Sequence, residues 1–228
     1  MTAELSRLLA DAARELEGEG GDPRGTMQRA VNLGVQLVRG AHEAGITVAR
    51  RGGRIATPAA TDELVVRVEA LQQEHQQGPC LDALRKQEVV RSGDISRDER
   101  WPEWGPRVAG ETPIRSMLCL RLFTNDDVVG GLNLYSYTVD AFDEEDVEDG
   151  MLLAAQASVA IAAAREIEQL QFAVDGRTVI GQAQGILMER FGIDSSQAFA
   201  VLARVSQARN VKVRQVAEQL VLTRQLPD

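Results

Sequence analysis

The feature that most constrains this chain is a helical stretch that opens at Phe142-Asp143-Glu144-Glu145-Asp146 and runs on as far as Gly176. Asp143 suits an N-cap, and the carboxylates around it suit the positive end of a helix dipole. Farther along, Ala160, Ala163, Ile167, Leu170 and Val174 recur at 3-4-3-4 spacing, the seam of a coiled coil about two heptads long. The first half of that stripe can equally pack on a sheet. From Glu166 onward the sheet should lie behind it, so residues 160–174 predict a homodimer seam.

Before this helix the apolar pattern changes several times. A surface helix over about Ala3 to Leu16 ends in Gly18, Gly20, Gly21, Pro23 and Gly25, a break in regular structure. A second helix from about Thr26 carries Met27, Ala30, Val31, Gly34, Leu37 and Val38 on one face. Ile46 and Val48 then alternate with Thr47 and Ala49, and Arg51-Gly52-Gly53 turns the chain into a strand around Ile55. Asp62 to Gln76 is helical, stopped by Gly78-Pro79, and a short helix over Cys80 to Leu84 leads to a strand at Val89-Val90. Leu118, Leu120 and Leu122 alternate in a half-buried strand. Asn125-Asp126-Asp127 turns that strand into Val128 to Tyr137. Helices mixed with hairpins predict an α+β domain with an antiparallel sheet.

After it come three short amphipathic helices. The first has Val179, Ile180, Ala183, Ile186 and Leu187 inside and closes at Phe191-Gly192. The second opens on an Asp194/Gln197 capping box, with Ala198, Phe199, Leu202 and Val205 as its core face. The third is capped by Asn210 and buries Val213, Val216, Ala217, Leu220 and Val221. None of the three stripes is buried alone, so the three helices form a bundle.

Charge is unevenly shared. The chain of 228 residues carries −9 at neutral pH, yet residues 170–228 hold seven bases and five acids, a net +2 that leaves −11 on the rest. No secretory leader is legible, and the most apolar run, Met151 to Ala164, is shorter than the roughly 20 residues a spanning helix needs. The expectation is a cytoplasmic protein with no membrane partner. Cys80 and Cys119 are too few for a disulfide framework, and His42 and His75 complete no metal-ligand spacing. They are expected as buried, reduced thiols, with no metal and no catalytic residues. Trp101, Trp104, Phe123, Tyr135 and Tyr137 can line a pocket or fill the core, with core favoured.

Two families are recognisable on these residues. Thr178 to Leu222 resembles the ANTAR domain, an RNA-binding module of bacterial transcription antiterminators. The likeness runs through Ile180, Ala183, Gly185, Leu187 and Met188, then Ala198, Leu202 and Ser206, then Asn210, Val216 and Ala217. The commoner pattern has Ala-Lys-Gly where this chain has Ala183-Gln184-Gly185, which removes one cation from the module. Residues 27–165 resemble a GAF domain in Gly78-Pro79-Cys80-Leu81-Asp82-Ala83, Asp98-Glu99-Arg100-Trp101-Pro102 and Gly131-Leu132-Asn133-Leu134-Tyr135-Ser136.

The resemblance implies an N-terminal helix and Gly-rich linker (1–25), a GAF-like sensor (26–165), a helical linker (166–176) and an ANTAR-like RNA-binding bundle (177–228). It implies binding of paired RNA stem-loops in nascent mRNA, so that a terminator hairpin cannot form, under control of the sensor and of a small-molecule GAF ligand if one exists. Gly181, Ala183, Gln184 and Gly185 would offer loop bases a flat small-residue patch. Arg177, Arg190, Arg204, Arg209, Lys212 and Arg214, with Asn210, would serve phosphates and the loop. Three readings stay open beside it: a thiol-based reductase using Cys80 and Cys119, duplex DNA binding by the last two helices, and a bundle that contacts only protein.

Overall fold

The computed structural model describes residues 11–16, 21–50, 54–85, 88–124 and 128–225. The expected segment 3–10, the Gly18 and Gly20 break, and the turns at 51–53 and 125–127 lie outside the described residues. Two compact units divide at Glu166/Ile167.

The first unit is built on five strands: β1 (Glu43–Ala49), β2 (Ile55–Ala60), β3 (Val89–Ser92), β4 (Ser116–Phe123) and β5 (Val128–Ser136). Their order is β2-β1-β5-β4-β3, and every pair is antiparallel. Pro58 lies in β2, an edge strand, where a missing backbone N–H is tolerated. Residues 11–16 are helical. The labelled helices of this unit are α1 (Pro23–Leu37), α2 (Glu63–His75), α3 (Pro79–Arg85), α4 (Trp104–Glu111) and the first part of α5 (Glu144–Phe191).

Alternation along the strands sorts side chains to two cores. Leu118, Leu120 and Leu122 of β4 join Leu132 and Leu134 of β5 under α1 and α5. Met117, Cys119 and Tyr135 point the other way, into a core with Val65, Val68 and Leu71 of α2, Cys80 of α3 and Trp104 of α4. β4 is therefore buried on both faces, and its half-buried expectation is corrected: helices cover both sides of the sheet. Trp101 and Trp104 are core residues packed edge to face at 5.7 Å. Their indole N–H groups donate to Asp82 Oδ2 (2.9 Å) and the Val68 carbonyl (3.3 Å). Tyr135 is also buried, whereas Phe123 and Tyr137 stand on the surface.

Helix starts follow local chemistry. Asp22 caps α1 by accepting from the Gly25 N–H at 2.9 Å, with Pro23 at the first helical position, three residues ahead of the expected start at Thr26. Asp143 and Asp146 each accept the other's backbone N–H at 3.0 Å, so the expected cap of α5 is a reciprocal one.

α5 does not stop at Gly176; it continues to Phe191 and supplies the first helix of the bundle. Gly176 is buried within the continuous helix, and a Cβ there would make only an ordinary contact, 3.6 Å from Arg214 Cδ. By length and composition alone α5 could cross a membrane, contrary to the short apolar run read from the sequence. Its Leu153, Ala154, Ala157 and Ile161 are buried in the sheet's core.

The second unit contains the end of α5, α6 (Ser195–Arg209) and α7 (Val213–Thr223). Ala183, Leu187, Ala198, Leu202, Val216, Ala217 and Leu220 form its core. The Asp194/Gln197 capping box is present, with bonds of 2.8 and 3.0 Å. Two expectations change. Asn210 does not cap α7; it ends α6 in the left-handed region (φ 53°), which asparagine tolerates, and Lys212 precedes α7. Phe199 is not core but surface, 44% exposed.

Candidate nucleic-acid interface

The last turns of α5 carry Arg177, Gly181, Gln184 and Met188 at i, i+4, i+7 and i+11, one face of one helix. Arg177, Gly181, Gly185 and Met188 are exposed, and a Cβ at Gly181 or Gly185 would meet nothing within 4 Å. Another molecule can reach the α5 backbone at these points. Ala183 lies on the opposite, buried side at 0% exposure, so it packs the core and its side chain is no surface contact. Gln184 is tied down: its Nε2 donates to the Ser195 carbonyl (2.9 Å) and the Ser195 hydroxyl (3.0 Å) at the start of α6. Its donors are engaged, which leaves Oε1 as its acceptor.

Of the six candidate cations all but Arg214 are exposed, and Arg190, Arg209 and Arg214 each make contacts within the protein. Arg177, Arg204, Arg209 and Lys212 are exposed on α5, α6 and the turn before α7. Arg190 donates to the Arg224 carbonyl at 2.8 Å and so ties the end of α5 to that of α7. Arg214 is further engaged. Its Nε donates to Glu218 (2.7 Å), its Nη1 donates to the Phe172 carbonyl (3.1 Å), and its guanidinium stacks 4.0 Å from the Phe172 ring. It clamps α7 to α5. Beside it, Phe172, Asn210, Lys212, Gln215 and Glu218 line an open hollow of about 480 Å³. Asp194 is held below the ordinary aspartate value by the Ser196 hydroxyl and by the Gln197 and Ser196 backbone N–H groups.

The sheet unit has its own polar centre. Glu69 is buried, and its carboxylate accepts from Thr47 and Thr57 hydroxyls (2.5 Å each), Asn133 Nδ2 (2.8 Å) and the Tyr135 hydroxyl (3.2 Å). Burial pushes its carboxyl up, against the pull of these four donors. Cys80 and Cys119 are both free and fully buried, and burial together with the neighbouring Cys80 thiol drives Cys119 well up. On the other face, Val89, Leu120, Met151, Ala154, Ala155 and Val159 are among the residues around a cavity of about 360 Å³ between β3, β4 and α5. Among the described residues no cluster of three His, Cys, Asp or Glu could hold a metal.

Sequence reasoning did not foresee that the aromatics of the bundle are exposed. All three in 167–228, Phe172, Phe191 and Phe199, are exposed, at 59, 56 and 44%. The available signal was ambiguous, because residues 198 and 199 both fall within helical reach of Leu202.

An antiparallel-sheet unit followed by a helical bundle defines a two-module protein. The chain belongs to the GAF family, which it matches over residues 20–162, and residues 168–221 match the ANTAR domain. No curated protein matches it. Among solved structures it is similar to the GAF domain of an Acinetobacter phosphoenolpyruvate-protein phosphotransferase, at 17% identity and TM-score 0.55, over 74% of this chain and 99% of that one. A free methionine-R-sulfoxide reductase from Neisseria meningitidis gives 16% identity and 0.54 over 73% and 95%. A bacteriophytochrome from R. palustris gives 13% identity and 0.60, with 89% of this chain on 46% of that one. At these identities the likeness is one of fold.

Proposed function

We propose that the chain is a signal-responsive RNA-binding regulator that binds paired stem-loops in nascent mRNA and prevents terminator formation, under control of its GAF domain. The observation that carries this is the ANTAR match over 168–221, on a bundle whose surface has open backbone at Gly181 and Gly185 and also exposed cations. Phosphates are met by Arg177, Arg204, Arg209 and Lys212, while Gly181 and Gly185 let an unpaired loop come close to α5. Arg190 and Arg214 tie the helices together, and Asn210 ends α6. The chain acts by binding and not by turnover, in the cytoplasm.

Paired loops call for paired modules. Ile167, Leu170 and Val174 are exposed at 38, 60 and 62%, which supports a homodimer seam in the segment 160–174. Ala160, partly buried against the sheet's core, belongs to the sheet side of that stripe. Two joined modules gain from effective concentration on one RNA. The 360 Å³ cavity against α5 is within the size range of small-molecule sites, and a ligand there would act on the helix that continues into the bundle.

The test is in vitro selection with the full chain on RNAs that carry two adjacent hairpins with randomised loops. Enrichment of a shared loop sequence in both hairpins is the expected result. Enrichment of single hairpins, of stems without loop preference, or of nothing would refute the reading.

A further inference from the structure

Large aromatic side chains ordinarily supply buried packing area. The bundle departs from this: its core is made of Ala, Leu and Val, and every one of its aromatic rings is on the surface. Phe172 lies under the Arg214 guanidinium, and Phe191 ends α5 beside the left-handed Gly192. Phe199 differs in standing in the second turn of a regular helix that is capped by Asp194 and packs its other side on the bundle core.

Its neighbours follow from the helix register. Ser195 is one turn before Phe199 on the same face of α6, and Ser195 is the residue that holds Gln184 of α5. Gln184 and Phe199 are thus linked through Ser195, one on α5 and the other on α6. Both N–H donors of Gln184 are taken by Ser195. The polar atom left to it is Oε1, an acceptor.

We infer that Phe199 and Gln184 Oε1, linked through Ser195, form a base-reading notch that takes one unpaired loop nucleotide. The ring stacks on the base, and Oε1 accepts from its exocyclic amino group. The notch therefore favours adenine, cytosine or guanine over uracil, whose single N–H is flanked by two carbonyls. This rests on the reading of the bundle as an RNA-binding module. It adds which residues distinguish the base, and that a neutral ring carries much of the affinity.

The experiment is a titration of the full chain with tandem stem-loop RNAs whose loops are all adenosine or all uridine, at several salt concentrations. Wild type is compared with Phe199→Ala, Phe199→Leu, Phe199→Tyr and Gln184→Leu, each checked for an intact bundle melt. Losing a stacking ring should weaken binding about 5- to 150-fold. Because phenylalanine releases no counterions, the salt slope should stay as in wild type. Phe199→Leu keeps apolar bulk but not the ring and should match Phe199→Ala, whereas Phe199→Tyr should bind within a few-fold of wild type. Gln184→Leu should reduce the preference for adenosine over uridine loops. Wild-type affinity in folded Phe199→Leu, or a changed salt slope, would overturn the inference while leaving the RNA reading in place. A wild type that prefers neither RNA to duplex DNA would overturn both.

Discussion

The substitution Leu202→Ala tests how the bundle is held together and whether it stands apart from the sensor. Leu202 is fully buried in a core that, among the described residues, has seven fully buried hydrophobic side chains, three of them alanine and one valine. Deleting a buried leucine side chain to alanine costs about 2–5 kcal/mol, the range reflecting how far the site collapses. A single core in a unit of this size supplies no more than about 3–5 kcal/mol. The substitution should therefore remove most of the bundle's stability, or at least lower its melting temperature by about 8 °C or more. The sensor gives an independent signal, because both tryptophans, Trp101 and Trp104, lie in its core and residues 167–228 contain none. Far-UV circular dichroism should show an early loss of helix while the tryptophan fluorescence transition stays where it is in wild type. A tryptophan transition that shifts together with the helix signal would refute the separation into two units. A loss below about 1 kcal/mol would refute the account of the core.

Other perturbations give equally direct outcomes. Leu170→Glu with Val174→Glu should convert a dimer to a monomer in sedimentation equilibrium and weaken binding to a tandem stem-loop about 100-fold while leaving a single stem-loop unaffected; an unchanged mass would refute the seam. Arg214→Lys cannot hold both the Phe172 carbonyl and Glu218 in the same fork, and should cost the bundle about 1–2 kcal/mol with no change in the salt slope of RNA binding. Burial holds the Glu69 carboxyl above its ordinary 4.5, so the folded sensor keeps a proton that the unfolded chain releases. That contribution is complete below about pH 4.5 and is lost as pH rises through the raised value. Glu69→Gln should flatten this part of the pH dependence of the tryptophan melt, and an unchanged profile would contradict it.

What could be read from residues alone depended on whether local rules decided the outcome. The Asp143 and Asp194 caps, the alternation in β4 and β5 and the apolar stripes of the bundle were legible, because capping and periodicity act over a few residues. Gly176 was misleading since glycine's helix penalty is about 1 kcal/mol, and packing of Arg214 on Phe172 overrides it. Asn210 was placed at the wrong helix because both a left-handed C-cap and an N-cap suit asparagine. The surface site was legible only in outline. Small residues on α5 were identified, but Ala183 and Gly181 differ in exposure by which side of the helix they occupy. The engagement of Gln184 by Ser195, of Arg190 by Arg224 and of Arg214 by Phe172 are long-range contacts that no spacing rule encodes.

The central claim is tested most directly by titrating the full chain against a tandem stem-loop RNA and a matched DNA duplex across a range of salt. The account predicts preference for RNA, with log affinity falling linearly in log salt by roughly 0.7 for each single-stranded phosphate neutralised. Equal affinity for the DNA duplex, or RNA binding indifferent to salt, would contradict it.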